Sequence, residues 1–179
     1  MEPLGIPPVM DALFGRWRSA LGPDFTAYRN HACRVFHLAS ALSGAGGEEL
    51  EQLAVAAAFH DIGIWLDDTF DYLEPSIERA FRYLEETGRA SWAGPVRDMI
   101  AEHHKVFPWH GPGRSLVEAF RRADWLDVSR FVLPTRLPRS FLRELVAAFP
   151  WAGFHLRLVT LTLAWTRRHP LRPLPMLKL

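Results

Sequence analysis

The sequence contains very little cysteine and almost no net charge. Its single cysteine, Cys33, cannot form a disulfide within the chain, and so few thiols are typical of a reducing compartment. The formal net charge is +1, which gives no electrostatic reason to expect a nucleic-acid polymer or an anionic membrane as a partner. We therefore expect neither of these partners.

Long apolar runs are missing as well. The start, residues 1–5, lacks the basic segment and apolar stretch of a signal peptide. No window approaches the ~20 apolar residues that a membrane span needs. The most apolar stretch, 151–165, is interrupted by His155 and Arg157, so we expect a buried or amphipathic helix there. A cytoplasmic location is the resulting expectation.

Strand-like alternation is nearly absent, and apolar residues recur instead at helical spacing. Hydrophobic residues make up 49% of the sequence, enough for a substantial core. We predict an all-α compact bundle in one domain over residues 1–179, ending in a proline-rich extended tail over 170–179. Helices are expected over residues 9–21, 24–44, 48–61, 75–88, 92–104, 114–132, 138–149 and 152–168, with Asp24 as the N-cap of the second.

The helix predicted over 48–61 is apolar nearly all round, which places it at the centre of the bundle. It ends in His60-Asp61, where an aspartate faces the negative end of the helix dipole within an apolar stretch. A desolvated carboxylate is costly without a partner. A bound cation would satisfy it, with the histidine as a neutral ligand; a buried His–Asp hydrogen-bonded pair is the alternative.

Two other core-facing segments present the same residue types. His31 lies on the apolar face of its helix, where the alternative is a core histidine bonded to a backbone carbonyl. Asp124 also faces inward, although periodicity places Asp127 inward equally well, and an ion pair with Arg121 is its alternative role. Two histidines and two carboxylates suit a divalent first-row metal, and the lack of thiolate ligands argues against structural zinc.

The segments NHACRVF, AAFHDIGIW and RRADWLD together resemble the motifs of the HD-domain superfamily of metal-dependent phosphohydrolases. The resemblance covers a core of about residues 25–132, with the helices over 138–168 beyond it. It implies a central divalent metal (Mn, Fe, Co, Ni or Mg) held by His31, His60, Asp61 and Asp124. The resemblance favours Asp124 over Asp127 because the family's last ligand directly follows an alanine. It also implies hydrolysis of a small phosphate ester or nucleotide through metal-activated water.

A second metal stays open. Some family members add histidines between these motifs, and here His103-His104 follow an apolar helix face, while Glu74 precedes a proline where the family often has histidine. Glu74, His103 and His104 are therefore candidate ligands, although a glutamate at a helix start is also ordinary. As catalytic residues, His103 and His104 would contact substrate phosphate or orient the first site, and Asp61 would orient the water or bridge two metals.

Lys105 and Arg34 are the candidate substrate residues, because each lies close to a motif histidine and could hold a phosphate as a point charge. A solvated surface charge is the alternative for both.

Two further functions stay open: some HD-fold proteins hold two irons and use oxygen to cleave C–C or C–P bonds, and a degenerate member would only bind a ligand. A homodimer is compatible with the seven tryptophans and the proline-rich tail.

Overall fold

A computed structural model describes residues 4–177, which form nine α-helices and contain no β-strand. The helices are α1 Pro8–Leu21, α2 Phe25–Ser43, α3 Glu48–Phe59, α4 Gly63–Leu66, α5 Leu73–Glu86, α6 Ala93–Glu102, α7 Arg114–Val128, α8 Arg139–Ala148 and α9 Phe154–Arg168. Single 3₁₀ turns over Gly22–Asp24 and Ala90–Trp92 precede α2 and α6. The all-α prediction is therefore confirmed.

Helix α3 lies at the centre of the bundle, as the sequence predicts. Every residue from 52 to 59 is buried, and the helix packs against α1, α2, α5, α6 and α7. Its four alanines allow neighbouring backbones to approach closely. The end of α3 therefore delivers the residues that follow it, His60 and Asp61, into the interior.

Helices α2 and α7 form the most extensive helix pair in the described part of the chain. Their apolar faces meet along their length, and α7 contributes Phe120, Ala123 and Leu126 at the spacing of one helix face. Burying side chains such as Phe120 and Leu126 contributes about 1.5–3 kcal/mol each. This packing fixes the positions of the polar residues that share the same faces.

One local prediction needs correction, and one glycine near the centre has a structural reason. Asp24 lies in a 3₁₀ turn and makes no capping hydrogen bond to α2. Its Oδ2 instead accepts hydrogen bonds from Trp65 Nε1 at 2.9 Å and Arg157 Nε at 2.7 Å. Gly63 begins α4, and a Cβ on it would lie 2.9 Å from the backbone oxygen of Tyr72. Glycine is therefore required there by a close approach of two chain segments.

The C-terminal part fits one of the two predicted alternatives and departs from the predicted tail. Helix α9 is amphipathic rather than buried: Phe154 is buried, and Leu158, Leu161 and Trp165 are half-buried on the same side. Residues 170–177 form turns rather than a free tail, because Met176 is buried beside Phe70 and Tyr72. Residues 178 and 179 of the predicted tail lie outside the described residues. No helix in residues 4–177 combines the length and hydrophobicity that crossing a membrane requires.

Candidate metal centre

The structure brings His31, His60, Asp61 and Asp124 together in the interior, each at most 4% exposed. His31 Nε2 lies 3.0 Å from His60 Nε2, 3.4 Å from Asp124 Oδ1 and 3.6 Å from Asp61 Oδ2. His60 Nε2 in turn lies 3.3 Å from Asp61 Oδ2. Three elements (α2, the end of α3 and α7) thus direct ligand atoms at one point.

Hydrogen bonding fixes the tautomers of both histidines. His31 Nδ1 lies 2.7 Å from Asp127 Oδ2, and His60 Nδ1 lies 2.9 Å from the backbone oxygen of Ala57. An ionised carboxylate or a carbonyl can only accept, so each Nδ1 carries the hydrogen and each neutral ring keeps a lone pair on Nε2. These lone pairs face each other across 3.0 Å, which requires an extra proton or a cation between them.

His103 extends this pattern to a second group. Its Nδ1 donates to the backbone oxygen of Ile100 at 2.7 Å, which leaves the Nε2 lone pair 3.3 Å from Asp61 Oδ1. Both of these buried atoms lack a hydrogen-bond partner among residues 4–177. Because buried polar atoms rarely remain unpaired, these two acceptors fit a bound cation.

Asp61 belongs to two candidate ligand groups. His31, His60 and Asp61 form one, and Asp61, His103 and His104 form the other, with ligand atoms within 4.8 Å of one another in each. Asp61 Oδ2 faces the first group and Oδ1 faces His103. Imidazole nitrogens with carboxylate oxygens form a donor set that suits divalent first-row metals. The arrangement is compatible with one ion or with two bridged by Asp61.

The charges of the centre are strongly coupled. Burial alone would lower the pKa of His31, but its hydrogen bond to Asp127 and the charges of Asp61 and Asp124 outweigh burial and raise that pKa to about 9. Burial raises the pKa of Asp124, whereas the histidines around Asp61 outweigh burial and hold the pKa of that carboxyl well below its usual range. Without metal, a proton on His31 offsets part of the carboxylate charge.

Tyr72, rather than Glu74, lies beside the second group. Glu74 is exposed in the first turn of α5, so the structure does not bring this predicted ligand to the site. The Tyr72 hydroxyl hydrogen-bonds His104 Nε2 at 2.5 Å. Burial and the charge of Asp61 raise the pKa of Tyr72 well above its usual value, while burial and His103 hold the pKa of His104 well below its own. A neutral phenol therefore faces a neutral imidazole.

Asp127 supports the centre from behind. Its carboxylate accepts from His31 Nδ1 and from both Arg34 Nε (2.6 Å) and Arg34 Nη2 (2.9 Å). Burial opposes ionisation of Asp127, but its bonds to His31 and Arg34 outweigh burial and lower its pKa. Arg34 is fully buried, and its Nη1 donates to the backbone oxygens of Phe149 and Pro150. The predicted contact of Arg34 with substrate is corrected: it positions Asp127, which positions His31.

The alternative role of Asp124, an ion pair with Arg121, is not found. Arg121 pairs with Glu118 rather than with Asp124, with Nη2 2.7 Å from Oε1. Arg121 Nη1 also donates to the backbone oxygen of Lys105 at 2.9 Å. Lys105 is partly exposed, and its role toward substrate stays a prediction.

Phe154 and Tyr72 were not among the predicted site residues. The Phe154 ring stacks on the His31 imidazole, with centroids 4.0 Å apart and an interplanar angle of 14°. No spacing links Phe154 to the motifs, since it lies in α9, 123 positions from His31. The only feature of the sequence that could have suggested Tyr72 as a site residue is its position shortly after the His-Asp pair.

A pocket of about 170 Å³, open to solvent at its mouth, leads to this centre. Its polar lining consists of Asp61, Tyr72, His104, Asp124 and Thr162. The two carboxylates are therefore reachable by a small molecule, whereas fully buried His31, His60 and His103 lie behind them.

The family model described as HD domain matches residues 28–129, more than half of the 179-residue chain. The match includes His31, Arg34, His60, Asp61, His103, His104, Asp124 and Asp127, whereas α8 and α9 lie beyond it. Searches of curated proteins and of solved structures found no match.

Proposed function

Because the chain belongs to the HD-domain family, whose members are mostly metal-dependent hydrolases, we propose that it hydrolyses a small phosphate ester. The observation that carries the proposal is the set of imidazole lone pairs converging on Asp61 and Asp124 at the floor of an open pocket. Such a set binds a divalent metal without rearrangement of the histidine tautomers.

His31, His60, Asp61 and Asp124 would hold this metal. When bound, a divalent metal polarises a phosphoryl oxygen and lowers the pKa of water. Hydrogen bonds on the far side of each ring hold the two histidines in place: Asp127 accepts from His31 Nδ1, and the Ala57 carbonyl accepts from His60 Nδ1. Such outer partners fix ring orientation and strengthen the ligand.

His104 lies on the substrate side of the centre. With Nε2 accepting from the Tyr72 hydroxyl, its hydrogen lies on Nδ1, which is 3.7 Å from Asp124 Oδ2. We propose that this Nδ1–H donates to a phosphoryl or leaving oxygen at the pocket floor and stabilises the charge that develops there. His103 is fully buried, so its proposed role is to bind a second ion beside Asp61 Oδ1 rather than to touch substrate.

The test combines metal content with ester hydrolysis. Protein purified without chelator or histidine tag should contain about one divalent metal per chain by mass spectrometry, and should release nitrophenol from nitrophenyl phosphate with Mn²⁺, Co²⁺ or Ni²⁺. His60→Ala should lose both properties, and the control His110→Ala, at an exposed position, should keep them. Protein that neither contains nor takes up metal would overturn the proposal.

One observation supports a second candidate, the di-iron oxygenase. Asp61 belongs to both ligand groups, as a carboxylate bridging two irons would. Such an enzyme should contain about two irons per chain and consume oxygen with its substrate. The hydrolase should instead release phosphate without oxygen, so one anaerobic assay separates the two candidates.

A further inference from the structure

The pocket above the centre has a polar floor and apolar walls. Asp61 and Asp124 lie at the floor, and Phe70, Trp125 and Val128 belong to the apolar part of the lining. The buried indole N–H of Trp125 has no acceptor among residues 4–177. Apart from this N–H, these three side chains offer a molecule in the pocket ring and methyl surface.

The C-terminal part of the chain supplies an apolar wall of the pocket. Leu158 and Thr162 of α9 face the pocket, together with Leu174, Met176 and Leu177. Met176 is buried by packing against the segment that follows α4, which holds these C-terminal residues on the bundle. The hydroxyl of Thr162 is the polar side-chain group on this wall.

Cationic side chains are missing from the pocket, as far as residues 4–177 describe it: its lining contains no arginine or lysine. A nucleotide would need partners for its base edges and, when it carries further phosphates, for their charges. Burying such groups without partners is costly. An alkyl or aryl group would meet no such penalty, and each buried methylene would add affinity.

We propose that this pocket selects phosphate esters whose non-reacting part is an uncharged alkyl or aryl group, rather than nucleotides. The inference rests on the proposed function, because it assumes that the phosphoryl group lies at Asp61 and Asp124. Its carrying observation is the apolar wall formed jointly by α9 and residues 174–177.

The test measures binding of phosphonates that cannot be hydrolysed as esters. Calorimetry on Mn²⁺-loaded protein compares methyl-, ethyl-, propyl- and butylphosphonate, with adenosine monophosphate as the rival ligand. Affinity should rise about fourfold per added methylene that becomes buried. Adenosine monophosphate should bind at least tenfold more weakly than butylphosphonate. Equal affinities along the series, or tightest binding of the nucleotide, would overturn the inference.

A matched pair of variants tests whether the gain in affinity per methylene arises at the wall that α9 contributes. Leu158→Gln changes the pocket wall, and Leu156→Gln makes the same change two residues away, where the side chain is 70% exposed. The gain per methylene should shrink in Leu158→Gln and persist in Leu156→Gln. Equal gains in both variants would show that α9 does not form the binding wall.

The outcomes separate this inference from the proposed function. Hydrolysis of generic esters without any dependence of binding on chain length would retain the hydrolase and overturn the apolar selectivity. Phosphonate binding that strengthens with chain length, in protein that hydrolyses no ester with any metal, would retain the selectivity and overturn the hydrolase.

Discussion

Asparagine at position 127 would preserve the shape of the side chain while removing its charge. The Asp127 carboxylate accepts hydrogen bonds from His31 Nδ1 at 2.7 Å, Arg34 Nε at 2.6 Å and Arg34 Nη2 at 2.9 Å. An asparagine offers one oxygen and one NH₂ group. The NH₂ group must then face a donor on His31 or on Arg34, and the buried guanidinium loses the carboxylate that neutralises it.

The expected loss of stability follows from this contact. Removing one partner of a buried ion pair costs about 3–5 kcal/mol of unfolding free energy. Arg34 keeps its bonds to the backbone oxygens of Phe149 and Pro150, so we expect the lower end, about 3 kcal/mol. For a chain of this size the melting temperature should fall by roughly 6–12 °C. Because Asp127 fixes the tautomer of His31, metal affinity should also fall about 10- to 100-fold.

Asp124→Asn is the matched comparison, three residues away on α7. Burial raises the pKa of Asp124, so removing its charge should leave the unfolding free energy of the metal-free protein equal or higher. Metal affinity should fall further than in Asp127→Asn, because a proposed ligand is lost. Urea unfolding in chelator and calorimetric titration with Mn²⁺ measure both quantities. Unchanged stability in Asp127→Asn, or weaker metal binding there than in Asp124→Asn, would refute the reasoning.

Three further predictions follow from the site and its surroundings. The pKa of His31 is raised to about 9 from an unfolded value of about 6.5, so its stabilising contribution is complete below pH 6.5 and is lost as pH rises through 9. The urea midpoint of chelator-treated protein should therefore fall across that range. A constant midpoint would contradict the link between protonation of His31 and stability. Asp61→Ala should abolish metal binding and activity together, because Asp61 belongs to both ligand groups, and full metal occupancy would refute this. Gly63→Ala should cost about 1–3 kcal/mol in urea unfolding, because its Cβ would lie 2.9 Å from the backbone oxygen of Tyr72.

Two controls sharpen these measurements. Saturating Mn²⁺ should remove the fall in midpoint between pH 6.5 and 9, since a metal ligand must be a neutral imidazole. Gly94→Ala, within α6, places a Cβ in open space and should stabilise the protein by about 0.4–1 kcal/mol. If Gly94→Ala and Gly63→Ala had equal effects, the close approach at Gly63 would not be the cause.

The long helices were predictable because each carries an apolar face over several turns. Helix α4 has only four residues, which is too few to show a helical repeat of apolar residues in the sequence. The capping role of Asp24 failed because Trp65 and Arg157, distant in sequence, bind its carboxylate. The apolar content of α9 left burial and amphipathicity open, and only the tertiary structure shows that its half-buried side borders the pocket.

The candidate ligands were predictable because each lies on a core-facing segment. Asp124 and Asp127 share one face of α7, so periodicity did not separate them; the family resemblance favoured Asp124, and the contact of Arg34 with Asp127 supports that choice. The position of Arg34 one turn after His31 favoured a contact with substrate, and its acceptors on Asp127, Phe149 and Pro150 are too distant in sequence to be predicted. Glu74 could not be excluded, because the start of α5 at Leu73 decides which neighbour points inward.

The supports of His31 reach beyond the residues that the family shares. Arg34 Nη1 donates to the backbone oxygens of Phe149 and Pro150, its guanidinium lies 4.1 Å from the ring centroid of Trp151, and Phe154 covers His31. A fragment that ended after α7 would leave the buried guanidinium of Arg34 without two of its acceptors and would expose one face of the His31 imidazole to water. We therefore expect the smallest part of the chain that folds by itself to extend at least to residue 154, and residues 28–129 alone to carry the candidate ligands without these supports.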